Sequence, residues 1–280
     1  MGTFKKNNDK KSSSKDRRFK DSKSFAKGPK KISSQKPKPQ VSDPDLIRLN
    51  RYVANSGVCS RRDADTYIAA GNVTVNGKTI TEMGHKVKRS DIVKFDGRLL
   101  NPQKKEYVLL NKPKNFITTT SDERGRRTVM ELISKASKSR LLPVGRLDRN
   151  TTGLLLFTND GDLAKKLTHP KHGVRKIYHV ELNKSLRAED LKKIKEGLIL
   201  DDGPLKVDEV SYITGSPKKE VGIEIHSGKN RIVRRIFEHL EYDVIKLDRV
   251  IFAGLTKKDL PRGHWRHLTK QEVINLGMNQ

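Results

Sequence analysis

The residues best placed to do chemistry lie in the run Gly145-Arg146-Leu147-Asp148-Arg149-Asn150-Thr151-Thr152-Gly153. A carboxylate sits there among guanidinium donors, hydroxyls and glycines. An apolar run of strand length, residues 154–157, and the turn pair Asp160-Gly161 follow at once. Such a pattern holds Asp148 at the lip of a sheet beside strong cationic donors. That placement suits a carboxylate that must stay ionised while it reacts. A structural salt bridge with Arg146 or Arg149 is the plainer alternative. A second segment, Arg175-Lys176-Ile177-Tyr178-His179-Val180, opens a period-2 strand with a tyrosine. On its own the ring reads as half-buried filler. In a third, residues 226–237, a glycine-marked strand end runs through Lys229, Asn230 and Arg231 into a basic helix with Arg234 and Arg235. A helix start of this kind offers N–H groups and cations to a phosphate, though a generic basic face would look the same.

The elements that must position these residues form an α+β pattern. From residue 107 onward, strands are expected at 107–111, 154–158, 177–182, 207–213, 221–225 and 249–252. Helices are expected at 162–168, 188–196, 232–240 and 271–276, the last with a Thr269/Glu272 capping box. Turns too short for parallel crossovers predict a largely antiparallel or mixed sheet with flanking helices over 107–280. Residues 101–106 are polar and read as a linker. Before them, 45–57 reads as a helix ended by Gly57. Ser60 caps a second helix that Gly71 ends, Val73-Thr74-Val75 leads into the hairpin pair Asn76-Gly77, and a short strand follows at 92–95. Arg48, Arg51, Arg61, Arg62 and Lys78 line this unit of residues 45–100.

Charge sets the partner. The 280 residues hold 60 Lys+Arg against 33 Asp+Glu, a formal charge of +27. That implies a polyanion, nucleic acid before others. Residues 1–44 contribute 14 Lys/Arg against 4 Asp, or +10, with too few apolar side chains for a core. They read as a disordered basic tail that strengthens phosphate contact without reading sequence, or that merely solubilises. No apolar run approaches the ~20 residues a membrane span needs, and no signal-peptide core is present, so a cytoplasmic protein is expected. The one cysteine, Cys59, can form neither an internal disulfide nor a thiolate cluster, and reads as a packed side chain. His169 and His172 stand in a loop context, and no metal or other cofactor is expected.

The three segments together resemble the motifs of RNA pseudouridine synthases, in the RsuA branch that modifies ribosomal RNA. The first is Gly-Arg-Leu-Asp-x-x-Thr-x-Gly-Leu-Leu-Leu, the second Lys-x-Tyr, the third Gly-Lys-Asn-Arg-x-Val-Arg-Arg, with Ile232 where the family often has glutamine. The ending Leu260-Pro261-Arg262-Gly263-His264-Trp265 is similar to the branch holding the bacterial large-subunit enzyme RluB. Ser-Arg-Arg-Asp-Ala at 60–64 and Val-Asn-Gly at 75–77 resemble the S4 RNA-binding domain. The resemblance implies isomerisation of a specific uridine in ribosomal RNA, that of the large subunit first, with ribosomal RNA or a ribosomal subunit precursor as partner and a monomeric enzyme. It also implies that Asp148 is the reacting carboxylate, that Tyr178 packs on the flipped base, and that Arg234 pairs with Asp148. Arg146, Lys176, Lys229, Asn230, Arg231 and Arg235 are then RNA contacts. A non-catalytic S4-type ribosome assembly or rescue factor would explain the charge and residues 45–100, but not the three motifs. A DNA-binding helix-turn-helix regulator fits less well, because a hairpin follows its two helices.

Overall fold

The computed structural model describes residues 45–278; the basic tail of residues 1–44 lies outside the described residues. The chain begins with β1 (Leu46–Arg48), α1 (Leu49–Asn55), α2 (Arg61–Ala69), β2 (Val73–Val75), β3 (Lys78–Thr79), β4 (Lys86–Lys88), β5 (Val93–Phe95) and β6 (Arg98–Leu99). The helix expected at 45–57 is thus shorter. Its first residues are extended and pair with β4, Ile47 opposite Val87. Ser60 caps α2 in a full capping box with Asp63. Asn76 and Gly77 both take positive φ, 49° and 82°, and turn β2 into β3. Leu49, Val53, Ala64, Ile68, Val73 and Val93 close a small core of their own, with Cys59 packed at its edge. Burial raises the Cys59 pKa, which keeps it a thiol.

The larger part follows as β7 (Tyr107–Lys112), α3 (Val129–Leu132), β8 (Leu142–Pro143), β9 (Thr152–Thr158), α4 (Gly161–Thr168), β10 (Lys176–Leu182), α5 (Ala188–Glu196), β11 (Leu198–Leu200), β12 (Gly203–Leu205), β13 (Glu209–Tyr212), β14 (Glu220–Ile225), α6 (Ile232–Glu238), β15 (Val244–Phe252), β16 (Leu255–Thr256), β17 (Trp265–His267) and α7 (Lys270–Met278). The main sheet runs β13-β14-β10-β15-β9-β7-β17 and is antiparallel except where β15 meets β9. It is the mixed sheet the pattern predicts. Asp160-Gly161 is not a free turn. Asp160 caps α4 through the N–H groups of Asp162 and Leu163, and Gly161 is the helix's first residue.

Strand β9 shows why the run at 154–157 is apolar throughout. Leu155 and Phe157 enter one core, with Val180, Ile223 and Phe237. Leu154 and Leu156 enter the other, with Leu163, Leu167, Phe252 and Leu276. The strand is buried on both faces, so alternation disappears. At its start, Gly153 has φ +105° and pairs with Arg249 across the parallel ladder. A Cβ there would lie 2.3 Å from the Arg249 carbonyl oxygen and 2.5 Å from its nitrogen, so only glycine lets the two strands close.

Candidate active site

The loop between β8 and β9 carries Asp148, and its main chain is tied from behind by the last residue of β7 and the segment that follows it. Lys112 is fully buried. Its ammonium donates to the carbonyls of Pro113 at 3.1 Å, Asp148 at 3.0 Å, Arg149 at 3.3 Å and Thr151 at 2.8 Å. The Thr118 hydroxyl donates to the Leu147 carbonyl at 2.8 Å and accepts the Leu147 N–H at 3.2 Å. The Asn115 N–H donates to the Arg149 carbonyl at 2.9 Å. The main chain of Leu147, Asp148, Arg149 and Thr151 is thereby fixed. Burial brings the Lys112 pKa down to about 8, with the Asp148 charge opposing and Arg262 assisting the fall. Among the described residues, no hydrogen bond or ion pair engages the Asp148 carboxylate, which is half-buried. The salt bridge to Arg146 or Arg149, the plainer alternative, is not formed.

Asp148 opens into a cavity of about 180 Å³ shared with Arg146, Tyr178, Lys229, Arg231 and Arg249. Lys176 lines it too. Tyr178 is buried on β10, opposite Ile223 of β14 and Arg249 of β15. The Lys176 ammonium donates to the Val174 carbonyl at 3.0 Å and the His226 carbonyl at 2.8 Å. Burial, then the nearby Arg249 charge, lowers its pKa to about 8. Five cations and one carboxylate line the cavity, a balance suited to a polyanionic substrate.

Arg234 departs from the expected pair. Its Nη1 donates to the Val244 carbonyl at 2.9 Å, at the start of β15, and it makes no ion pair with Asp148. The two are still close enough to feel each other. Burial and Arg231 lower the Arg234 pKa, while the Asp148 charge opposes. Arg235 is committed elsewhere, forking onto Asp202 at 3.0 and 2.8 Å, and Lys229 donates to the Asp202 carbonyl at 3.2 Å. Asn230 is exposed beside them. In the N-terminal unit, Arg61 and Arg62 face Arg140, Asn159 and Gly161 across a second cleft. Arg51 pairs with Asp162, while Arg48 and Lys78 stand exposed. The Gln103 N–H donates to the Asn55 carbonyl at 3.2 Å within the expected linker.

Lys112, Thr118 and Arg249 escaped the sequence reading as site residues, and Arg262 entered it only as part of the ending motif. Arg262 donates to the Asn111 side chain at 2.6 Å and to Asp248 at 2.9 Å, and Asp248 also accepts the Thr152 hydroxyl at 2.7 Å. Burial would raise the Asp248 pKa, but its bonds to Arg262, Lys257 and Thr152 win and hold it at about 2. This cluster ties β7, β9 and β15 together just behind the loop. One signal was available: Arg249 falls in phase with buried Leu247, on the inward side of β15, where a charge is out of place. Lys112 gave none, since it reads as an ordinary polar strand end. Among the described residues, no three His, Cys, Asp or Glu side chains are grouped to hold a metal ion.

Fold and loop give a carboxylate held in a cationic cavity, and comparison with known proteins identifies the class as RNA-modifying isomerases. Residues 106–239 match the RNA pseudouridylate synthase family and residues 47–93 the S4 domain. The chain belongs to the RNA pseudouridylate synthase family and is an RNA pseudouridine synthase with an S4 RNA-binding domain. It is 40% identical over 234 residues to the ribosomal large subunit pseudouridine synthase B of Bacillus subtilis (strain 168), a match covering 82% of this chain and 96% of the relative. It is 36% identical over 237 residues to the dual-specificity RNA pseudouridine synthase RluF of Escherichia coli (strain K12), covering 82% and 78%. A solved pseudouridylate synthase structure superposes with a TM-score of 0.58 at 28% identity, covering 82% of this chain and 99% of that one.

Proposed function

We propose that this enzyme converts a specific uridine of large-subunit ribosomal RNA, free or in a subunit precursor, to pseudouridine, with Asp148 as the reacting carboxylate. The observation that carries the reading is the loop itself. Lys112 and Thr118 consume its carbonyls, and among the described residues the Asp148 carboxylate is left unpartnered in a cationic cavity. The reaction breaks the uracil N1–C1′ bond, turns the base, and joins C5 to C1′. The C5 proton leaves and N1 gains one, so the product is an isomer and no electron carrier is needed. Asp148 either attacks C1′ or takes a proton from the sugar. Both courses require a deprotonated oxygen with no competing partner.

The target must leave its stack, at a cost of a few kcal/mol. Tyr178 offsets this by packing against the base. Arg146, Lys229 and Arg231 hold phosphates at the mouth, and Lys176 adds charge inside. Arg234 supplies a positive field from α6 near the carboxylate. Arg48, Arg51, Arg61, Arg62 and Lys78 of the S4 domain hold RNA beyond the target nucleotide. The large-subunit assignment follows the Bacillus subtilis relative. The experiment is pseudouridine mapping of ribosomal RNA in cells with and without the gene. One large-subunit uridine should lose its modification, and restoring the Asp148→Asn protein should leave it unmodified. An unchanged map would refute the substrate assignment.

A further inference from the structure

Arg249 stands in the floor of the cavity, and among the described residues no carboxylate pairs with it. It is 3% exposed. Its Nε donates to the Leu154 carbonyl at 2.8 Å, its guanidinium carbon lies 4.5 Å from the Phe252 ring centroid, and its Nη2 is buried without a partner. The carboxylate beside it in sequence, Asp248, is taken by Lys257, Arg262 and Thr152. A buried, unpaired guanidinium costs several kcal/mol. A ring face offsets only about 2 of them. A purely structural arginine would be cheaper as a leucine. Its place is also specific. Arg249 is the direct cross-strand partner of Tyr178, so a base lying on the Tyr178 ring has this guanidinium at its edge.

We propose that Arg249 is a catalytic residue, donating to a carbonyl oxygen of the target uracil and stabilising the negative charge the base carries once N1 has left C1′. The proposal rests on the reading of this cavity as the uridine site. When the N1–C1′ bond breaks, its electron pair stays with the base and spreads over N1, O2 and O4. C1′ is meanwhile bonded to the Asp148 carboxylate, or shares a double bond with C2′ after losing the C2′ proton. When C5 joins C1′, the pair enters the new bond, and either the Asp148–C1′ bond breaks with its pair returning to the carboxylate, or the proton goes back to C2′ as the C1′–C2′ double bond opens. The C5 proton then departs and N1 is protonated. The charge on the base exists only between those two events, and a donor fixed in advance acts on it selectively. A phosphate contact is the poorer occupant. Arg249 lies deep, beside Leu247 and Phe252, whereas exposed Arg146 and Arg231 stand nearer solvent.

The test compares single-turnover rates on RNA carrying uridine or 5-fluorouridine at the target, scored as loss of the parent nucleoside after digestion. Fluorine withdraws electrons and stabilises the departing base without help. Arg249→Met should lose about 100-fold on uridine and several-fold less on 5-fluorouridine, with RNA affinity unchanged. Arg249→Lys, which keeps the charge, should show the same bias with a smaller loss, and it decides the matter if the methionine variant does not fold. Equal losses on the two targets, wild-type rates on both, or two variants that fail to fold would each overturn the proposal. An active wild type with an inactive Asp148→Asn keeps the site reading intact in those cases. A folded, RNA-bound wild type that forms no pseudouridine would instead remove the site reading, and this inference with it.

Discussion

The ammonium of Lys112 and the main-chain carbonyl of Asp148 lie 3.0 Å apart, while the Asp148 carboxylate has no partner at all among the described residues. One residue is thereby divided in two: the carbonyl holds the loop, and the carboxylate opens onto the cavity. Replacing Lys112 with methionine strips a buried donor from four carbonyls. The variant should lose about 3 kcal/mol of stability and nearly all activity, measured by denaturant melts and pseudouridine yield.

The same lysine gives a pH dependence. Its pKa falls from 10.5 unfolded to about 8 folded. Between those values the unfolded chain keeps a proton that the folded chain has released. Raising the pH through that window therefore favours folding. The stability advantage of the wild type over Lys112→Met should grow from pH 8 to pH 10.5. An advantage that shrinks across the window would show that the ammonium is not desolvated as the structure has it.

Asp148→Asn should remove pseudouridine formation with a change in stability within about 0.5 kcal/mol, because the carboxylate holds nothing in place. A large drop in melting temperature would mean that the carboxylate is a structural partner of one of its arginine neighbours.

Lys176 should make RNA binding sensitive to alkali. Its ammonium releases its proton near pH 8. Affinity for an RNA fragment should weaken as pH rises through that value, and Lys176→Arg should hold it constant, since guanidinium stays charged. Identical profiles would exclude Lys176 from RNA contact.

The double change Arg61→Ala and Arg62→Ala should weaken RNA binding and flatten its salt dependence, the slope falling by about one for each phosphate no longer neutralised. Melting behaviour should be preserved, as both side chains are on exposed positions of α2. An unchanged slope would remove the cleft facing Arg140 from the RNA path.

Much of this was legible in the chain. The Ser60 cap, the Asn76-Gly77 hairpin and the apolar 154–157 run act through neighbours in sequence, and each appears where local rules place it. What was hidden depends on distant pairing. Leu46 to Arg48 look helical, but β4 offers them a strand partner about forty residues away. β15 begins at Val244, five residues before the expected strand, because β10 supplies a ladder along its whole length. Lys112 carries no local sign of burial, since its four acceptors come mostly from a loop 36 to 39 residues later. Arg234 matches its motif, but in the structure its guanidinium takes the Val244 carbonyl.

The seat of Gly153 against Arg249 also fixes when this enzyme can begin to work. The loop needs Lys112, made earlier, and its far end needs β15, about 95 residues later in synthesis. A chain emerging from the ribosome completes its S4 unit first, from residues 46–99. At that stage the loop that carries Asp148 still lacks its frame. The frame closes only after residue 249 has cleared the exit tunnel and β15 has docked. A chain cut short before β15 therefore holds a finished S4 unit and an unfinished loop.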